Sequence, residues 1–239
     1  TEILNLTKNK GIQTVGVTEK LLRHFNRSFE LDHGSIVPLY HIDKYYQDYK
    51  IVHITYGMLS FIELYQFGII LKEAINNLKR NCVIIASGDL SHRLLENGPY
   101  PYSPKGKIFD ELILSYLEKG KTYEIFSMNK KDIEEAGECG YRSILILLGV
   151  LGEFKGKVLS YEGPFGVGYG VMSFKSMKDE NILNFLHKAR AKRLHEKINK
   201  SDYYVKLARK SIEYYLKNKK LMKPPRNLPE DMITKRHGV

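Results

Sequence analysis

The chain has 239 residues, 43% hydrophobic and 27% charged, a composition that suits one or two globular domains and excludes a mainly disordered or fibrous chain. Two cysteines, Cys82 and Cys139, cannot build a disulfide framework, and no apolar run approaches the ~20 residues that cross a bilayer. The formal net charge of +11 lies wholly after Phe174: residues 175–239 hold 18 Lys+Arg against 7 Asp+Glu, while residues 1–174 hold 20 of each.

A reduced, cytoplasmic protein without a membrane segment is therefore expected. Its first residues, Thr1-Glu2-Ile3-Leu4-Asn5, lack an initiator Met and any signal-peptide pattern, and read as the start of a piece of a longer reading frame. The basic tail lacks the interleaved glycines and strand aromatics of a common RNA-binding sheet. It reads as solvated helices, and no nucleic-acid partner is expected.

Short β-branched runs alternate with longer stretches of helical period, which predicts an α/β fold, a layered sheet with helices on both faces. Residues 51–55 (IVHIT) read as a strand and residues 60–79 as an amphipathic helix. Residues 82–87 (CVIIAS) then read as a buried strand, and the strand–helix–strand order favours parallel pairing. Residues 109–117 continue as helix. Residues 132–151 place an acidic first turn before an apolar stretch, and residues 158–161 and 169–174 form a closing pair of strands. Beyond Lys175 two basic helices follow, at about 179–199 and 201–218, with Ser201 or Asp202 placed to cap the second. That second helix carries Tyr204, Leu207, Ala208, Ile212, Tyr215 and Leu216 at helical spacing, a face that needs a partner.

Four segments could carry chemistry. Ser87-Gly88-Asp89-Leu90-Ser91-His92 sits at the C-terminal end of an expected strand, where open α/β sheets place their sites, and His92 can exchange a proton near neutrality. A capped turn with a surface histidine is the plainer reading. Asp32-His33-Gly34 pairs a carboxylate with an imidazole, but it is also a common loop. Gly137-Glu138-Cys139-Gly140 opens a helix, where free N–H groups stabilise a carboxylate or thiolate. Either Glu138 or Cys139 could ligate a metal there, or the pair could be an acidic first turn and a small cysteine. Residues 161–169 (YEGPFGVGY) are glycine-rich but lie between strands, so they read as a constrained turn rather than a phosphate cradle. No His-x-x-x-His or Cys-x-x-Cys pair exists, which excludes a zinc finger.

Taken in order, ELDHGSIVPLY (30–40), IIASGDLSHRL (84–94), AGECGYRSILILLG (136–149) and LSYEGPFGVGY (159–169) resemble the catalytic subunit of class III extradiol ring-cleavage dioxygenases, the LigB superfamily. They are more similar to its Memo-like branch, which occurs with an AMMECR-type domain in the AmmeMemoRadiSam system. LARKSIEYYL (207–216) and ITKRHGV (233–239) resemble the opening of that second, α+β domain. The resemblance implies a LigB/Memo-like domain over residues 1–174, truncated at its N-terminus. A basic helical linker would cover 175–200, and residues 201–239 would begin a truncated AMMECR-type domain.

It further implies a non-haem Fe(II) held by two histidines and a carboxylate, opening an aromatic diol with oxygen. By this resemblance His92 is the catalytic base, His33 lines the substrate pocket, and Asp32, Asp89 and Ser91 belong to that pocket. Cys139 takes the third ligand position, with Glu138 serving only under a register shift. The two ligand histidines have no counterpart before Asp32 and are expected upstream of Thr1. A thiolate at the carboxylate position tilts preference toward copper or zinc. Two readings follow: a dioxygenase-like enzyme, or a Memo-like metal-binding scaffold without ring cleavage. The implied partners are an aromatic diol, the AMMECR-type domain in cis and a radical-SAM protein of the same system.

Overall fold

The computed structural model describes residues 1–28, 30–178, 191, 194–225 and 228. The described elements begin with α1 (Glu2–Asn9), α2 (Glu19–His24), α3 (His33–Ile42), α4 (Phe61–Leu78) and α5 (Pro104–Glu118). They continue with α6 (Thr122–Phe126), α7 (Lys130–Ala136), α8 (Tyr141–Leu151), β1 (Glu153–Glu162), β2 (Tyr169–Lys178) and α9 (Tyr203–Asn218). The chain divides into two compact units, Thr1–Glu180 and Asn181–Val239.

Local signals in the sequence start these helices. Ser60 closes a capping box on α4, its hydroxyl accepting from Glu63 N–H while the Glu63 carboxylate accepts from Ser60 N–H. Ser103 followed by Pro104 opens α5, and Asp32 and Asn129 cap α3 and α7. Burial then sets the packing. Leu64, Tyr65, Ile70 and Leu71 of α4 meet Tyr141, Leu145 and Leu148 of α8, and Phe109 and Ile113 of α5 complete this core. Gly68 and Gly149 let the α4 and α8 backbones touch: a Cβ on Gly68 would lie 2.0 Å from the Ile146 carbonyl oxygen.

The sheet differs from the expected one. Among the described residues only β1 and β2 pair, as an antiparallel hairpin with Lys157 opposite Ser173 and an irregularity after Val158. Residues 51–59 and 81–88 are neither helical nor laddered, and none of them makes a backbone–backbone hydrogen bond among the described residues. Val52 and Val83 are 70% and 88% exposed. The reason is physical. β-Branched residues favour an extended backbone, but a strand exists only where a neighbour about 4.8 Å away offers a complementary edge.

The stretch 132–151 divides into α7 and α8, because Gly137 takes the left-handed conformation (φ 65°) and ends α7. In the second unit Asp202 caps α9 by accepting from Val205 N–H at 2.8 Å, and residues 194–200 are helical. No residue of α9 is buried. Most of the expected helix 179–199 and all of 231–239 lie outside the described residues. No described helix is long and apolar enough to cross a membrane.

Candidate metal centre

Two loops meet where the glycines allow it. Gly88 (φ 153°) and Gly140 approach so closely that a Cβ on Gly88 would sit 2.5 Å from Gly140 Cα. This contact lays the 88–93 loop along the 136–140 turn. Asp89 carbonyl accepts from Cys139 N–H at 3.3 Å and from Gly140 N–H at 2.9 Å, and Ala136 carbonyl accepts from His92 N–H at 3.2 Å. On its other flank the loop is held by the glycine-rich β1–β2 connection. Leu90 N–H donates to Gly168 carbonyl at 2.9 Å, and Gly168 N–H donates to Ser91 carbonyl at 2.7 Å. The constrained turn read from 161–169 thus braces the site loop.

The loops bring Asp89, His92 and Cys139 together, with one ligand atom from each within 4.8 Å of the others. His92 Nε2 is buried and makes no hydrogen bond among the described residues, and Asp89 Oδ2 lies 3.5 Å from it. Asp89 N–H donates to Cys139 Sγ at 3.1 Å. Tyr100 stacks on the His92 ring, centroids 5.1 Å apart and planes 24° from parallel. Burial pushes the Cys139 thiol up, and the neighbouring Asp89 and Glu138 carboxylates push the same way.

The other candidates divide clearly. Glu138 turns away into a capping role: its carboxylate accepts from Tyr141 N–H at 2.5 Å, and burial raises its pKa. Ser91 is bonded within the loop packing. It is fully buried, its N–H donating to Asp110 Oδ1 at 2.8 Å and its hydroxyl to Ala136 carbonyl at 2.9 Å. Asp110 also accepts from Tyr161 O–H at 2.7 Å, and burial raises its carboxyl even against these two bonds.

Asp32 caps α3, and its bonds with Ser35 hold its carboxyl below the usual range. His33 is the exposed first residue of α3 and is not a member of the Asp89–His92–Cys139 cluster. Its neighbour Gly34 abuts the same region, a Cβ there lying 3.7 Å from Ser87 Oγ. Sequence reasoning missed Tyr56, whose hydroxyl donates to the Cys139 carbonyl at 2.8 Å, and Tyr100. Neither belongs to a motif, and for Tyr56 the signal was an aromatic residue just after the β-branched run 51–55.

One carboxylate, one imidazole and one thiol fit a transition-metal ion, and the buried, unbonded His92 nitrogen is what such an ion would satisfy. The set is not two histidines and a carboxylate. Its thiol makes it softer than an iron facial triad.

Residues 1–172 match the family model described as the catalytic LigB subunit of aromatic ring-opening dioxygenase. The chain is also similar along its whole length to Protein CA_C1420 of Clostridium acetobutylicum, at 46% identity over 242 residues. It spans about half of that relative, 52% of its length. With 172 of its 239 residues matched, the chain belongs to the family of catalytic LigB subunits of aromatic ring-opening dioxygenases.

Proposed function

We propose that this chain carries the metal-binding centre of an extradiol-dioxygenase-like protein, with Asp89, His92 and Cys139 as the donors it contributes. The observation that carries this reading is the convergence of these three side chains on one point, at the meeting of two glycine-tethered loops. Fe(II) is the ion suggested by the family, and Cu(I) or Zn(II) the ions favoured by the thiol. Such an ion would orient a catechol-type diol and activate oxygen.

The chain's own residues supply the rest. Tyr100 fixes the plane of the His92 ring, and the Asp89 carboxylate lies 3.5 Å from its Nε2. His92 can therefore hold or pass a proton at Nε2 for a hydroxyl brought to the cluster, or serve as a ligand through the same atom. The exposed Asp32-His33-Gly34 element, whose Gly34 abuts Ser87, gives this end of the unit a second imidazole to meet a substrate. By the family resemblance, two histidine ligands from outside these 239 residues would instead join Cys139 in a facial triad, leaving His92 as the base.

Anaerobic titration with Fe(II), Cu(I) and Zn(II), followed by oxygen uptake with simple catechols, tests the reading. One ion bound per chain, lost in Cys139→Ala, is expected. His92→Ala then separates its two roles: activity lost with metal retained marks the base, and metal lost marks the ligand. No Cys139-dependent ion binding would sink the proposal.

A second reading has its own support. The thiol in place of a carboxylate favours a Memo-like scaffold that binds metal without cleaving rings. An ion held through Cys139 with no oxygen consumed would select it. We also propose, on the tail sequences 207–216 and 233–239, that residues 201–239 open an AMMECR-type domain after a linker at 175–200. A cytoplasmic location and a radical-SAM partner belong with that reading, and co-purification with such a protein tests it.

A further inference from the structure

Cys139 is held by hydrogen bonds at three points, and two of them come from a single residue. Its N–H goes to the Asp89 carbonyl at 3.3 Å and its Sγ receives Asp89 N–H at 3.1 Å. Both bonds lie on the 88–89 side. Gly140 N–H, on the peptide that carries the Cys139 carbonyl, meets the same Asp89 carbonyl at 2.9 Å, so these tethers all hinge on Asp89.

The third point is the Cys139 carbonyl, which accepts from the Tyr56 hydroxyl at 2.8 Å. Tyr56 arrives from a different part of the chain, 83 residues away in sequence. The same segment is tied down twice more: Arg142 Nη1 donates to Leu59 carbonyl at 2.8 Å, and His53 Nε2 bonds Ser35 Oγ at 2.9 Å. The phenol is therefore a fixed post rather than a swinging side chain, although the residue is 38% exposed.

We propose that Tyr56 is a positioning residue of the metal centre, its hydroxyl locking the Cys139 peptide so that Sγ is presented to the ion between Asp89 and His92. The inference rests on the metal reading above. Tyr56 touches neither the ion nor a substrate in this role. It acts through the peptide plane of Cys139. Losing one hydrogen bond of this kind weakens a fixed geometry by a factor of about three to ten.

The test is Co(II) titration of the 239-residue chain, followed by the thiolate-to-cobalt charge-transfer band in the near ultraviolet. Tyr56→Phe keeps the ring and removes only the donor. Ser35→Ala removes another tether of the same segment without touching Cys139. The expected result is a dissociation constant raised about three- to tenfold in Tyr56→Phe. The band per bound cobalt weakens, and Ser35→Ala behaves as the unsubstituted chain.

A Cys139-dependent band that is identical in Tyr56→Phe overturns the inference and leaves the metal reading standing. An equal loss in Ser35→Ala also overturns it, since general tethering would then be the cause. Absence of a Cys139-dependent band in the unsubstituted chain overturns the metal reading and this inference with it.

Discussion

Asp89 holds Cys139 with its backbone and leaves its side chain free for other work. The amide N–H of Asp89 meets Cys139 Sγ at 3.1 Å, its carbonyl takes the Cys139 N–H, and its carboxylate faces His92 Nε2 at 3.5 Å. Clamp and carboxylate are thus separable. Asp89→Ala should keep the clamp and lose the carboxylate, weakening Zn(II) binding by about tenfold or more. Its stability should stay within about 0.5 kcal/mol, because the side chain is partly exposed. Cys139→Ala should remove binding altogether. Isothermal titration calorimetry paired with thermal melts reads both, and unchanged affinity in Asp89→Ala would remove that carboxylate from the ligand set.

Uptake of a soft ion should depend on pH through Cys139. Burial raises its thiol, so at neutral pH the sulfur carries a proton that binding must displace. The sign follows directly. Below the raised thiol pKa each bound ion releases one proton from Cys139, and affinity climbs about tenfold per pH unit. Above it the slope flattens. Measured between pH 6 and 8 in two buffers of different ionisation enthalpy, the chain should release this proton and Cys139→Ser should not.

Asp110 should make folding stability fall as pH rises. Burial lifts its folded pKa above the unfolded value, so the folded state holds the proton more tightly. The stabilisation is full below the unfolded pKa and is lost as pH climbs through the raised folded pKa. Asp110→Asn removes the ionisation yet keeps an oxygen for Ser91 N–H and an amide for the Tyr161 oxygen. Urea melts from pH 3.5 to 7 should give the substituted chain a flatter profile. Glu138, raised by burial in the same direction, contributes equally to both curves and cancels in their difference.

Gly68 and Gly149 mark the closest approach of α4 and α8. Cβ atoms there would lie 2.0 Å from Ile146 carbonyl and 2.1 Å from Tyr65 carbonyl, contacts that only backbone movement relieves. Each alanine substitution should cost about 1–3 kcal/mol, read as a lower denaturation midpoint. The double variant should cost less than the sum, because one separation of the helices relieves both clashes.

The sequence made some of this readable and hid the rest for definable reasons. Helix α4 was legible because Ser60, Glu63 and the 3.6-residue apolar period all state the same boundary within eighteen residues. The β1–β2 hairpin was legible from its β-branched runs and glycine-rich turn. The break between α7 and α8 was harder, since an acidic turn and an apolar stretch continue one period across Gly137, and only its left-handed backbone ends α7. That Glu138 caps α8 while Cys139 meets Asp89 and His92 is a matter of three-dimensional geometry. Ser91 points inward, its hydroxyl donating to the Ala136 carbonyl 45 residues away. Motif reading can name residues in a loop, but it cannot say which face of the loop is buried.

The extended segments 51–55 and 82–86 give the last prediction. Their valines and isoleucines are the residues of buried strands, yet Ile51, Val52, Val83 and Ile85 are each about half exposed or more, and the backbone around them makes no ladder bonds among the described residues. An amide without a protein acceptor exchanges with solvent regardless of global stability. Hydrogen exchange followed by mass spectrometry should therefore show these two segments labelled within seconds, while α4 and α8 stay protected by the core between them. Val83→Thr should change stability by no more than about 0.5 kcal/mol, since little burial is lost. Slow exchange in both segments would mean that their edges are paired in solution, and a mass measurement of the native species would then tell whether a second copy supplies the pairing strand.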